Sequence, residues 1–243
     1  MYALEVKDLS FSYPDKSILH RLSFNVEKGD FVCIVGTNGT GKSTLLKLIL
    51  NMLKPVEGSI RINGISSQKF KSYSDIAYVS QKSTDFNRDF PATVEEIVRL
   101  GLYSRQGLFK IYTKEDNKKV ERALERVGML DYRNKLIGYL SGGQQQRVFI
   151  AKALVSDPKI IFLDEPTVGI DIKAVDSICC LLGELNNSGL TIVMVTHDIS
   201  SIIYHSNKVL MLSEDGQGKL MTSEEFSSRT IGNHLHHDHK EER

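Results

Sequence analysis

The sequence predicts an α/β fold with three parts: a core built on a parallel sheet, an antiparallel β subdomain at the N-terminal end, and an α-helical subdomain inserted between core strands. Apolar and polar residues alternate through the first thirty positions, which is typical of half-buried strands. Continuous apolar runs recur farther along, as expected for parallel strands that helices cover on both faces. A glycine-rich loop joins the first of these runs to an amphipathic helix.

The length of 243 residues fits one large domain or one domain with an inserted lobe. Hydrophobic residues make up 41% and charged residues 25%, an ordinary globular composition that excludes disorder of the whole chain. We expect a single domain over residues 2–232, with the helical lobe at about 86–155, and a histidine-rich tail at 233–243.

The charge balance gives no reason to expect nucleic acid as a partner, because 31 Lys and Arg residues face 30 Asp and Glu residues. Every apolar stretch falls short of the ~20 residues of a membrane-spanning helix, and the N-terminus lacks a secretory pattern. The chain is therefore expected in the cytosol, where Cys33, Cys179 and Cys180 would be reduced and structural.

The N-terminal strands carry apolar residues at every second position. These residues are Leu4 and Val6 in one strand, and Leu22, Phe24 and Val26 in another. A third strand, Ser59–Ile62, leads into Asn63 and Gly64, a dipeptide typical of tight hairpin turns. Together these segments predict an antiparallel sheet.

The core begins with the apolar run Phe31–Val35. After the glycine-rich loop, apolar residues recur at helical spacing, which predicts a helix that buries one face. These residues are Leu45, Leu48, Ile49, Met52 and Leu53. Three later runs predict further buried strands: Ile160–Leu163, Thr191–Val195 and Val209–Leu212. Between Ala92 and Val155 helical spacing dominates, as in Thr113–Val127, and this stretch is the expected helical lobe.

A phosphate-binding loop is predicted between the first run and that helix, where the sequence matches G-x-x-x-x-G-K-[ST]. Glycines permit backbone conformations that point N–H groups inward, and the following helix adds its positive N-terminal end. Lys42 would neutralise β- and γ-phosphate charge, and the Ser43 hydroxyl would ligate Mg²⁺. The predicted nucleotide-binding residues are Gly36, Thr37, Asn38, Gly39, Thr40, Gly41, Lys42, Ser43 and Thr44.

Two carboxylates, Asp164 and Glu165, directly follow the buried run Ile160–Leu163. Acids at the exit of an apolar strand need something there to stabilise them. Beside a phosphate loop, Asp164 suits the Mg²⁺ shell opposite Ser43, and Glu165 suits the activation of an attacking water. A capping acid at a strand–turn junction is the alternative.

A second anion site is predicted where Leu140, Ser141, Gly142, Gly143 and Gln144 open a helix. Ser141 is a natural N-cap, and the two glycines expose backbone N–H groups at the positive helix end. A single nucleotide needs only one phosphate loop. The second site makes sense if it completes a nucleotide that another subunit holds.

With these motifs the chain resembles the ATP-binding subunits of ABC (ATP-binding cassette) transporters over roughly residues 2–215. The resemblance implies a P-loop NTPase fold with a RecA-like core, ATP hydrolysis, and ATP and Mg²⁺ as ligands. Tyr13 resembles the aromatic residue that stacks on adenine, and Gln81 resembles the glutamine that senses Mg²⁺ and the attacking water. Asp171 falls where the D-loop is expected, and His197 matches the switch histidine. The family implies a head-to-tail dimer that holds two ATP molecules, each between one phosphate loop and the signature Ser141–Gln144 of the partner.

The departures from the family pattern are small. Thr37 and Thr40 occupy variable loop positions, where proline and a small residue are more usual. Val168-Gly169-Ile170-Asp171 replaces the commoner Ser-Ala-Leu-Asp. None of these changes affects a residue that the chemistry requires.

The resemblance also implies partners. Two copies of the chain would dock as a peripheral homodimer under a separate integral membrane permease, at the cytoplasmic face of the cell membrane. The helical lobe would offer a groove for the permease, formed by Phe86, Phe90, Pro91, Leu102 and Tyr103. An extracytoplasmic metal-binding protein would be an indirect partner.

Two features favour a divalent metal ion, zinc first, as the transported solute. Residues 86–101 resemble the corresponding stretch of zinc and manganese uptake ATPases. The tail has a metal-ligand composition, with His234, His236, His237 and His239, although it is also typical of a solvated, disordered extension. Manganese, iron or another solute stays open, as does a soluble ATPase of iron–sulfur cluster assembly.

Overall fold

Two sheets organise the chain in the computed structural model, which describes residues 1–70, 72–81, 90–102, 113–197 and 203–229. The first sheet has four strands in the order β2-β1-β4-β5, and the second has six in the order β10-β9-β3-β8-β7-β6. The strands are β1 (Tyr2–Tyr13), β2 (Lys16–Glu27), β3 (Phe31–Val35), β4 (Glu57–Ile62), β5 (Ile65–Ser66), β6 (Ile76–Val79), β7 (Ile160–Asp164), β8 (Thr191–Val195), β9 (Lys208–Leu212) and β10 (Gly218–Thr222). The helices are α1 (Lys42–Ile49), α2 (Val94–Arg99), α3 (Lys114–Arg126), α4 (Gly142–Leu154) and α5 (Ile172–Asn187).

The first sheet is antiparallel throughout, as the alternating N-terminal pattern predicts. In the β1–β2 pair, Leu4 is opposite Val26 and Val6 is opposite Phe24, and all four side chains are buried. The hairpin between β4 and β5 turns at Asn63–Gly64, where both residues adopt positive φ angles, 50° and 78°.

The second sheet forms the core, and β3, β8, β7 and β6 run parallel in it. β9 adds to this set in parallel with β3, and β10 closes the edge antiparallel to β9. Every residue of β3, β7 and β8 is buried, which explains why these strands are continuous apolar runs in the sequence.

The central sheet separates two hydrophobic clusters, because successive side chains of a strand point to opposite faces. Phe31, Cys33 and Val35 of β3 join the cluster that contains α2, α3, α4 and α5. Val32 and Ile34 join the other cluster, formed with α1 and the antiparallel sheet. The strand ends are therefore held rigidly from both sides.

The helix after the glycine-rich loop is shorter than its apolar pattern predicts. α1 ends at Ile49 instead of continuing to Leu53. Asn51 adopts a φ of 57°, which breaks the right-handed helix, and Met52 is 57% exposed. The apolar pattern continues past this turn because Leu53 still packs, partly buried, against the core.

The expected helical lobe contains α2, α3 and α4 within its described residues. Capping boxes begin α2 at Thr93 and α3 at Thr113, so the predicted Thr113–Val127 helix starts where its sequence indicates. In the described part of this lobe, strand-like pairing is limited to one isolated bridge, between Thr93 and Leu136. Residues 82–89 and 103–112 lie outside the described residues.

None of the helices in the described ranges has the length and apolar character needed to cross a lipid bilayer.

Candidate functional site

The glycine-rich loop connects the buried end of β3 to the start of α1, as predicted. Gly39 and Gly41 have φ angles of 86° and 95°, a region that favours glycine. Gly41 is the N-cap of α1, and a methyl group on it would come within 2.5 Å of Ile18 Cγ2. The loop therefore needs glycine at this position for two reasons, its backbone angle and its close contact with β2.

Lys42 lies across the loop, with only 6% of its surface exposed. Its Nζ donates hydrogen bonds to the carbonyl oxygens of Gly36, at 2.7 Å, and Thr37, at 3.0 Å. The Thr40 hydroxyl also donates to the Thr37 carbonyl, at 2.9 Å. A fixed ammonium group beside the N-terminus of α1 is an arrangement suited to an anionic phosphate.

A pocket of about 310 Å³ opens beside the loop. Its lining residues are Lys16, Ile18, Asn38, Gly39, Gly41, Lys42, Ser43, Thr44 and Glu165. Six of the nine predicted nucleotide-binding residues line it, while Gly36, Thr37 and Thr40 build the loop behind it. Lys16 and Ile18 could not be predicted as pocket residues from the sequence, because only the pairing of β2 in the antiparallel sheet brings them to the loop.

Asp164, at the end of β7, faces the loop across the site. The Ser43 hydroxyl donates to Asp164 Oδ1 at 3.0 Å, and the Tyr78 hydroxyl approaches Oδ2 at 3.5 Å. Burial raises the pKa of Tyr78, and the negative charge of Asp164 and its hydrogen bond raise it further. Tyr78 thus stays a neutral donor beside a carboxylate, and Ser43 and Asp164 present hard oxygen atoms to the same space.

The side chains of Gln81 and His197, from two other segments of the chain, both approach Glu165. The Gln81 side-chain amide donates to Glu165 Oε2 at 2.9 Å, and His197 Nδ1 lies 3.7 Å from the same oxygen. Glu165 adopts a φ of 48°, and its backbone N–H donates to the carbonyl of Val195 at the end of β8. A non-glycine residue in the left-handed region is a conformation that accumulates at functional sites. The structure therefore brings together all three residues predicted to be catalytic.

Tyr13 is at the end of β1 and does not line the pocket. It pairs with Lys16 across the β1–β2 hairpin, and its ring meets Phe11 edge-on with 5.0 Å between centroids. Its side chain is exposed. Lys16, three residues along, is the neighbour that reaches the loop.

The second glycine motif begins α4 with a capping box. The Ser141 hydroxyl accepts from the Gln144 N–H, and the Gln144 side chain accepts from the Ser141 N–H at 3.1 Å. Gly143 packs so closely on α5 that a methyl group there would lie 2.6 Å from Ala174 Cβ. None of the residues from Ser141 to Gln144 lines the loop pocket of the same chain.

Asp171 is the N-cap of α5, and its Oδ1 accepts from the Ala174 N–H at 3.0 Å. The adjoining Ile172 is 81% exposed and Val168 is also exposed. The segment around Asp171, predicted to be the D-loop, thus carries apolar side chains on the surface, next to α4.

The predicted permease groove needs one correction. Leu102 is buried in the core cluster and has no surface to offer a partner. The chain passes so close to α4 here that a methyl group on Gly101 would lie 2.1 Å from the Lys152 carbonyl oxygen. Phe90 and Pro91 are exposed as expected, whereas Phe86 and Tyr103 lie outside the described residues.

The histidines of the tail, His234, His236, His237 and His239, also lie outside the described residues. Among the residues that are described, no three His, Cys, Asp or Glu side chains come together in a way that could hold a metal ion.

Comparison with known proteins places this geometry among nucleotide-hydrolysing cassettes. The sequence profile of the ABC transporter family matches residues 19–168. The zinc uptake system ATP-binding protein ZurA of Listeria innocua is 47% identical over 212 residues, 87% of this chain and 82% of ZurA. The manganese transport system ATP-binding protein MntA of Synechocystis is 38% identical over 231 residues, 94% of this chain and 88% of MntA. A solved dimeric structure, the cassette MJ0796 bound to ADP and Pi in a post-hydrolysis state, aligns with a TM-score of 0.75 and 31% identity over 90% of this chain and 98% of that chain.

Proposed function

This chain belongs to the ABC transporter family, and from that premise we propose that it is the ATP-hydrolysing subunit of an importer for a divalent metal ion, zinc in the first place. The observation that carries the proposal is that Lys42, Ser43 and Glu165 line one pocket and that Asp164 accepts a hydrogen bond from Ser43. The start of α1 supplies Lys42 and Ser43, and the end of β7 supplies Asp164 and the adjoining Glu165. Together these groups provide what phosphoryl transfer to water needs: a phosphate cradle, a cation shell and a proton acceptor.

Triphosphate binding is assigned to the loop and to Lys42. The Lys42 ammonium now donates to two loop carbonyls, and the same donors would turn towards the β- and γ-phosphates when ATP enters. The backbone N–H groups of the loop and the start of α1 favour the anion for the same electrostatic reason. Tyr13 is proposed to stack on adenine.

Magnesium is proposed to be held by Ser43, Gln81 and Asp164. The residues fit this ion, because a hydroxyl and a carboxylate oxygen only 3.0 Å apart are the hard donors that Mg²⁺ prefers. When bound with ATP, the ion would neutralise charge on the β- and γ-phosphate oxygens.

Hydrolysis is assigned to Glu165, which would accept a proton from the attacking water. Gln81 restrains the carboxylate by its hydrogen bond and is proposed to contact the same water. His197, exposed and next to the same oxygen, is proposed to contact the γ-phosphate. Each of these assignments can be tested by a single substitution.

A homodimer is proposed to complete the site. The residues Ser141–Gln144 form a helix N-terminus suited to an anion, yet they do not line the pocket of their own chain. The relative MJ0796 is described as a dimer bound to ADP and Pi. In a head-to-tail pair, the signature of one protomer would cover the γ-phosphate held by the other, with Asp171 at the interface.

A membrane permease is the proposed docking partner, which would place the chain peripherally at the cytoplasmic face of the cell membrane. Family membership and the named roles of ZurA and MntA support this arrangement. An extracytoplasmic metal-binding protein would deliver the ion to the permease. The single domain proposed over residues 2–232 would then couple ATP hydrolysis to transport by the permease.

Zinc is the proposed solute because ZurA, named for zinc uptake, is 47% identical to this chain. Manganese is the second candidate, supported by MntA at 38% identity. Accumulation of zinc, manganese and iron should be measured in cells that lack this chain and in cells that express it again. Loss and recovery of zinc alone supports the proposal, whereas loss of manganese alone supports the second candidate and contradicts the first.

Purification from detergent-solubilised membranes separates an importer subunit from an ATPase of iron–sulfur cluster assembly. A Glu165→Gln chain is suitable for this experiment, since it should stay in the ATP-bound state. Recovery of an integral membrane protein supports the importer. Recovery of soluble assembly proteins alone would contradict it.

A further inference from the structure

Cys180 and His205 meet on the surface of the chain although 25 residues separate them. The Cys180 Sγ lies 3.9 Å from His205 Nε2. Cys180 is exposed in the middle of α5, and His205 is half-buried in the segment that leads into β9. Neither side chain lines the pocket beside the glycine-rich loop, and Cys180 differs from Cys33 and Cys179 in being exposed.

The imidazole of His205 lies in a notch on α5 that exists because residue 183 is glycine. A methyl group at Gly183 would approach His205 Nδ1 to 2.7 Å. Glycine inside a helix costs about 1 kcal/mol relative to alanine, so its presence here needs a packing reason. The ring fills the space, and this contact fixes the orientation of Nε2 towards the thiol.

We propose that Cys180 and His205 bind a divalent cation of the zinc class. Thiolate sulfur and imidazole nitrogen are the donors that Zn²⁺ prefers, at about 2.3 and 2.1 Å, and a tetrahedral ion holds two such donors about 3.6 Å apart. The observed 3.9 Å needs only a small side-chain rotation to reach this value. Since no three potential ligands cluster in the described part of the chain, water completes the coordination shell.

The thiol itself offers a selective readout of binding. Cys33 and Cys179 are buried, and burial raises the pKa of the Cys33 thiol to about 12. Because the thiolate is the reactive form, an aromatic disulfide reagent should label Cys180 first. The readout requires neither ATP hydrolysis nor transport, so its failure would leave the proposed function untouched.

The experiment measures the labelling rate of the full-length chain as zinc chloride is added, with cadmium–thiolate absorption as an independent signal. Cys180→Ser should remove the fast labelling phase. His205→Ala should weaken zinc protection at least ~10-fold, because even the loss of a group that only orients a ligand costs that much. All variants retain the histidine-rich tail, so the tail cancels in the comparison.

Gly183→Ala is the second variant, because it keeps both donors and favours the helix while displacing the ring. It should also weaken protection at least ~10-fold, for the same reason. The proposal is supported if zinc slows labelling of the wild-type chain and both variants lose this effect. It is overturned if zinc leaves the wild-type rate unchanged, or if either variant is protected as well as the wild type.

Discussion

Replacing Glu165 with Gln should stop most ATP hydrolysis and leave nucleotide binding intact. The substitution keeps the size of the side chain, so the amide oxygen of the new residue can still accept the Gln81 hydrogen bond, now 2.9 Å long. What disappears is the carboxylate charge near His197 and the capacity to accept a proton from water.

The two losses differ greatly in their free-energy cost. His197 Nδ1 is 3.7 Å from the carboxylate and its side chain is 56% exposed, so this contact is worth below about 0.5 kcal/mol of unfolding free energy. Removal of a positioned general base lowers a rate by about 10²- to 10⁴-fold, which corresponds to about 3–5 kcal/mol in the activation barrier. The variant should therefore fold like the wild type and hydrolyse ATP very slowly.

Phosphate release under excess Mg²⁺ and ATP measures the rate, and an equilibrium titration with ATP measures binding. Glu214→Gln is the matched control, because Glu214 also contacts the loop, accepting from the Thr37 hydroxyl at 3.3 Å, but lies outside the pocket. Glu214→Gln should keep the wild-type rate to within about twofold. A Glu165→Gln chain that retains more than about a tenth of the wild-type rate would refute the assignment of the base.

Three further substitutions test separate parts of the structure. Lys42→Ala should weaken ATP affinity at least ~10-fold in an equilibrium titration, since the buried ammonium is the cation of the phosphate loop. Asp164→Asn should reduce the dependence of ATP binding on Mg²⁺, because the carboxylate among the three proposed ligands is lost. Asp30→Asn should lower the free energy of unfolding in urea by about 2 kcal/mol, since Asp30 is buried and accepts a hydrogen bond from the charged Lys208 Nζ at 2.8 Å. Burial lowers the pKa of Lys208, but Asp30 and Glu27 outweigh that effect and raise it, so the contribution of the Lys208 ammonium is complete at neutral pH and is lost as pH rises through the raised pKa.

For each of these three substitutions, one result would contradict the prediction. Lys47→Ala, on the exposed face of α1, is the control for Lys42, and equal affinities in the two variants would contradict the role of Lys42. Undiminished Mg²⁺ dependence in the Asp164 variant would mean that other residues hold the ion. If the Asp30 variant and the wild type unfold at the same urea concentration at neutral pH, the buried ion pair contributes nothing to stability.

Local patterns in the sequence were sufficient to predict most strands of both sheets and the helical character of the inserted lobe, but β5, β6 and β10 were not among the predicted strands. The buried strands β3, β7 and β8 are apolar throughout because both of their faces are covered, and such runs are visible without a structure. The end of α1 was not predictable from its apolar spacing, since Leu53 packs on the core from outside the helix. A packing contact of this kind has the same spacing signal as a helical turn.

In the same way, some residues of the site can be predicted from contiguous motifs, whereas others meet only through contacts between distant segments. The loop Gly36–Ser43 and the pair Asp164–Glu165 are contiguous motifs with a defined chemistry, and the sequence identifies them directly. Lys16 reaches the pocket only through the register of the antiparallel sheet, and Cys180 meets His205 only because α5 and the segment before β9 pack together. No spacing rule within a single sequence encodes these contacts between distant segments.

The central claim is that one protomer holds ATP through Lys42 while its partner completes the site through Ser141. Mixed dimers should be purified with two different affinity tags, one protomer carrying Lys42→Ala and the other Ser141→Arg. A head-to-tail pair then keeps one intact site, so ATP hydrolysis up to half of the wild-type rate is predicted. A pair in which one protomer carries both substitutions and the other carries none should be inactive, because each site then has one defect. If the second pair hydrolyses ATP and the first does not, the site is complete within a single chain and the account is wrong.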